Sequence, residues 1–98
     1  MKVMKTQFYI LLSLKTPKGF IDYGQFNLGD EREAAYNLFE SLQGSQKFSA
    51  PLHIDLMETV NELPVKIKTI CCSLEELGSN CQQIAKEMFR LKNLEELV

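Results

Sequence analysis

The feature that most constrains this chain is a change of apolar period, made twice. Phe8, Ile10, Leu12 and Leu14 alternate with Tyr9, Leu11, Ser13 and Lys15, the period of two that marks a strand. Ala35, Leu38, Phe39 and Leu42 then recur at the i, i+3, i+4, i+7 spacing of a helix face. The second half repeats the switch. Leu52, Ile54 and Leu56, then Val65, Ile67, Thr69 and Cys71, follow period two; Cys81, Ile84, Ala85, Met88 and Leu91 follow the helical period.

The resulting order is ββα–ββα. Two amphipathic helices and four strands bury their apolar sides together if both helices cover one face of a mostly antiparallel sheet. The predicted class is therefore α+β, with a permuted ferredoxin-like arrangement as the first expectation. Cyclic permutation of a split βαβ fold yields this element order. The 98 residues make one domain, 1–98, large enough to fold on its own core without a disulfide or metal staple.

Turn chemistry sets the first register. Thr16-Pro17-Lys18-Gly19 combines a fixed φ at Pro17 with a glycine able to take positive φ, which predicts a three-residue loop pairing Thr16 with Phe20. Ile10 then faces Phe26, Phe8 faces Leu28 and Leu12 faces Gly24. This leaves Tyr9, Leu11, Ile21 and Tyr23 together on the sheet face away from the helices. The alternative is a bulge at Gly24, which turns Ile21 and Tyr23 inward.

Helix signals come next. Asp30 and Glu33 form a capping-box pattern, and Gly44 stands where the first helix would close. Gly44–Pro51 reads as a polar loop with Phe48 as a plug. Ser73-Leu74-Glu75-Glu76 carries a second capping box, and Gly78 predicts a break after one turn. Ser79 and Gln82 would then cap a separate final helix, which either ends at Asn93 or continues through Leu94 and Leu97. The halves also echo one another: Phe8, Ile10 and Leu14 precede Ile54, Leu56 and Val60 by 46 residues, and Ala35, Leu38 and Phe39 precede Ala85, Met88 and Phe89 by 50.

Charge and length exclude some functions. A net charge of −2, with four lysines and no acid in residues 1–20, lacks the dense basic stripe of a nucleic-acid binder. The apolar run Phe8–Leu14 is too short and too alternating for a signal sequence or a membrane span. A cytoplasmic setting with reduced thiols is therefore expected.

Chemistry-bearing residues are few. Cys71, Cys72, Cys81 and His53 have the right ligand types for zinc, but adjacent strand cysteines point to opposite faces, so no metal or other cofactor is expected. Gly78, Ser79 and Cys81 at a helix start would offer amides to an anion or a lowered thiol pKa, a ligand or thiol site. His53 with Asp55 lacks a nucleophile and reads as a solvated surface histidine. The balance favours a non-enzymatic interaction module, homodimerising through Tyr9, Leu11, Ile21 and Tyr23, since a contiguous apolar patch marks a partner site. A small-ligand or effector domain near Gly78–Cys81 is the alternative, with thiol-dependent activity at Cys81 behind it.

Overall fold

In the computed structural model, which describes residues 6–47 and 50–96, the first two period-two runs form β1 (Thr6–Thr16) and β2 (Gly19–Gly29). Their loop is one residue shorter than the turn chemistry predicts: Thr16 pairs with Gly19, leaving only Pro17 and Lys18 between the strands. Thr16 closes this loop itself, its hydroxyl accepting from the Lys18 N–H at 3.2 Å and donating to the Gly19 carbonyl at 2.7 Å. Gly19 takes φ +118, a value that suits only glycine.

The tip of the hairpin obeys this short turn, while its base obeys the apolar alternation. Ile10 faces Phe26 and Leu12 faces Gly24, as expected, but Ser13 faces Asp22. Tyr23 is the extra residue, a bulge that reconciles the two registers. Gly24 permits it. A Cβ there would stand 3.1 Å from Leu12 Cδ1, tighter than ordinary contact, so the Leu12 side chain lies over a bare backbone. A second shift near the strand end makes Leu28 extra and sets Phe8 against Gly29 instead of Leu28.

The second hairpin, β3 (Leu52–Val60) and β4 (Leu63–Cys72), turns through Asn61 and Glu62 at φ 52 and 70. Positive φ at both positions of a two-residue loop is the pattern whose twist suits paired strands. Val60 pairs with Leu63, and the first bulge comes at Ile67. The two hairpins therefore have the same plan: positions 16, 19 and 23 correspond to 60, 63 and 67, a constant shift of 44 rather than 46. β1 and β3 lie side by side, antiparallel, with Leu11 opposite Asp55, which are themselves 44 apart. An internal two-fold axis thus passes between that pair.

The sheet order is β2-β1-β3-β4, antiparallel throughout. Joining β2 to β3 across the intervening β1 is α1 (Arg32–Glu40), so a split connection is present. Permuting a ferredoxin-like sheet would centre β2 and β4; here the first strand of each hairpin holds the centre. The last element is α2 (Leu74–Glu96). Both helices lie on one face, where Ala35, Leu38, Phe39 and Ile84 close a core with Phe8, Ile10, Leu12, Leu28, Ile54, Leu56 and Cys72.

Helix ends differ from the sequence expectation. Glu31, not Asp30, is the N-cap of α1, without a side-chain cap bond, and the helix ends at Ser41 before reaching Gly44. Gly44 serves another purpose: a Cβ there would lie 2.7 Å from the Cys71 carbonyl, so glycine lets the following residue pair with β4. In α2 the Ser73–Glu76 capping box forms reciprocally, at 2.9 and 3.1 Å. The helix then runs unbroken through Gly78. Interior glycine costs about 1 kcal/mol against alanine. Burial of Leu77, Cys81, Ile84 and Met88 along one stripe outweighs that cost. The helix also passes Asn93 and continues to Glu96. Phe48, Leu97 and Val98 fall outside the described residues.

Candidate functional site

Opposite residues on antiparallel strands share a face, so the pairing sorts the proposed interface residues. Tyr9 and Leu11 lie on the open face, away from the helices, and both are half-buried. Ile21 does not join them. It faces Leu14, which faces Leu52, which faces Cys72, a row on the helix side of the sheet. The Tyr23 bulge likewise turns toward the helices, close enough to Cys72 and Cys81 to feel them. Its hydroxyl pKa is raised, chiefly by burial and then by those two thiols. The expected patch is therefore split by the one-residue register change.

Large apolar side chains are exposed on the distal half of the first hairpin, and also singly or in pairs at Leu63, Val65, Leu74 and Phe89. Phe20, Ile21 and Tyr23 show 59, 56 and 46 % of their surface. Phe20 sits on the open face, its ring edge-on to His53 at 5.0 Å between centroids, while Ile21 and Tyr23 sit on the other. Large apolar side chains thus wrap both sides of one strand end. The sequence reading missed Phe20, because a three-residue loop places it on the inner face. Only a two-residue turn brings it out.

The open face is less wet than alternation predicts. Ser13, His53, Asp55, Met57 and Cys71 are all buried there. The loop between α1 and β3 is tied to one end of this face. Ser45 pairs with Cys71, Pro51 accepts from the Lys15 N–H at 2.8 Å, and the Ala50 carbonyl accepts from His53 Nε2 at 2.9 Å. Asp55 accepts from the Thr69 hydroxyl at 2.6 Å and lies 3.6 Å from Lys66 Nζ. His53, expected in solvent, is instead a tie between sheet and loop.

Gly78, Ser79 and Cys81 occupy the second and third turns of a continuous helix. Their amides are not the unbonded amides of a helix start, which belong to the residues after Ser73. Beside Ser79 and Asn80 there is a polar hollow of about 220 Å³ between the helices, also lined by Ser41, Gln43 and Lys86. Pockets that enclose small ligands begin nearer 300 Å³. Burial pushes the Cys81 thiol up, and Cys72 up to about 11, with Glu76, Cys71 and Cys81 adding to it. Cys71 is also raised, by burial and Asp55, against a smaller opposing effect of Lys15. A raised pKa leaves a thiol protonated and a poor nucleophile.

Cys71 faces His53 on the open side and Cys72 faces Leu52 on the helix side, so the adjacent cysteines diverge as strand geometry requires. Among the described residues, no three His, Cys, Asp or Glu side chains converge as metal ligands, and no helix is long and apolar enough to cross a membrane.

The sequence also missed Asn80. Its side chain, 1 % exposed, accepts from the Gln43 N–H and donates to the Gln43 carbonyl, both at 2.7 Å. A polar residue in a gap of the α2 apolar stripe was the available signal. Comparison with known proteins gives no match to any family model, any curated protein or any solved structure.

Proposed function

We propose that the protein is a non-enzymatic interaction module that homodimerises through the distal half of its first hairpin. Exposure of Phe20, Ile21 and Tyr23 on one strand end carries this reading. Three large apolar side chains in one short stretch cost solvation in a monomer, and soluble domains keep such patches for partners. The row Ile21–Leu14–Leu52 continues the patch toward the core, so a second copy packing there extends an existing apolar layer. Tyr9 and Leu11, expected in the interface, lie nearer the base of the same hairpin on the open face and fall outside this contact.

Sedimentation equilibrium tests the reading. The wild type is expected to dimerise at micromolar concentration. Ile21→Asp with Tyr23→Ser is expected to give a monomer with an unchanged helix and sheet spectrum. A wild type that stays monomeric at millimolar concentration refutes the module as a homodimer.

A further inference from the structure

The outer strand of the first hairpin offers backbone as well as side chains. β2 is an edge of the sheet, and Asp22 is its only charge between Gly19 and Gly29. The other edge is guarded, since β4 carries Pro64, Lys66 and Lys68. Lysine and proline on an edge discourage strand addition, and a long edge without them invites it.

Hydrogen bonding fixes which residues of β2 face outward. The N–H and C=O of a strand residue point to the same edge, and the edge alternates from residue to residue. Lys15 N–H donates to the Pro51 carbonyl at 2.8 Å, on the β3 side of β1. Lys15 therefore turns away from β2, and Phe20, its partner across the hairpin, turns its own N–H and C=O to the free edge. Ile21 turns inward and Asp22 outward, after which the Tyr23 bulge interrupts the alternation. The Phe20 ring does not shield this edge. It lies back across β1, its centroid 5.0 Å from that of His53 on β3. Among the described residues outside the sheet, none bonds to the Phe20 backbone.

Three positions of a two-fold axis let these outward groups bond to β2 of a second copy. An axis at Asp22 opposes two carboxylates, and one at Ile21 sets each carboxylate against a phenyl ring. An axis at Phe20 sets the exposed Lys18 of each copy against the exposed Asp22 of the other. Neither group has an ion-pair partner among the described residues. On the helix side, the same axis lays Ile21 over Gly19 of the other copy, which has open space where a Cβ would stand. Charge and shape both select Phe20.

We infer that β2 adds to β2 of a second copy, antiparallel and centred on Phe20. The pairing runs over residues 18–22, and the dimer then carries one continuous sheet with the helices of both copies on the same side. This geometry rests on the homodimer proposed above.

The test uses the full chain, ¹⁵N-labelled, at about a hundred times the dimer dissociation constant that sedimentation gives. In hydrogen exchange, the Phe20 amide should be protected at least tenfold more than in the Ile21→Asp, Tyr23→Ser monomer. A dimer whose Phe20 amide stays open overturns strand pairing and leaves the homodimer standing; a chain monomeric at millimolar concentration overturns both. Lys18→Asp alone and Asp22→Lys alone each put like charges across the contact and should dimerise at least fivefold more weakly. An equimolar mixture of those two variants puts opposite charges across it again and should dimerise within threefold of wild type. A mixture as weak as either variant overturns the Phe20 register. Should either variant fail to fold, the Phe20 amide still decides.

Discussion

Asn80 shows what one side chain decides. Its amide matches both hydrogen-bonding groups of the Gln43 backbone, as a neighbouring strand would, and so fixes the start of the α1–β3 loop to α2. An apolar replacement of similar size keeps the volume but strands a donor and an acceptor. Asn80→Leu is expected to lower stability by about 2–3 kcal/mol, read as a lower urea midpoint at an unchanged denaturant slope. Gly44 acts on the same loop, where its missing Cβ lets the chain approach Cys71.

The thiols also belong to the residue scale. Cys72 is raised from 9.0 to about 11, so on the alkaline side the unfolded chain releases this proton before the folded one does. The folded state then holds more protons, and stability falls as pH rises through that window. Equilibrium unfolding between pH 8 and 11 should show this decline, and Cys72→Ala should flatten it. A wild-type profile flat across the window would contradict the burial of this thiol.

At the scale of elements, α2 is one helix because its cap and its stripe agree. The Ser73–Glu76 box starts it, and Leu77, Cys81, Ile84 and Met88 hold it to the sheet. Gly78 sits inside with ordinary helical φ and open space where a Cβ would go. Gly78→Ala is therefore expected to stabilise the protein by about 0.5–1 kcal/mol, seen as a raised thermal midpoint. A loss of stability would mean that the helix bends there after all. The β4 hairpin makes the opposite choice, holding Glu62 at φ 70 where glycine fits better.

For the molecule as a whole, the 44-residue repeat puts the first strand of each hairpin in the middle and the second strand on an edge. Each helix then crosses back over the sheet to reach the shared core. β1 and β3 are the only described strands bonded on both sides, and Ile10, Leu12, Ile54 and Leu56 are all buried in them. Native-state hydrogen exchange should find the slowest amides at these four residues. Edge amides of β2 and β4 should open with lower free energy. Equally slow exchange along an edge would show that a partner covers it.

What the sequence alone determined is local and periodic. The four strands, the α1 stripe, the Ser73 cap and the divergence of Cys71 from Cys72 all follow from spacing and capping residues. The tertiary structure decided register and continuity. A slip of one residue costs little within a turn, so Pro17 and Gly19 could not settle it. Packing of Leu12 over Gly24 did, and with it the split of Tyr9 and Leu11 from Ile21 and Tyr23. Likewise, Gly78 signals a break only in an isolated helix. Burial of the residues on either side of it overrode that signal, and the bond to the Ala50 carbonyl holds His53 in a buried position that alternation had assigned to water.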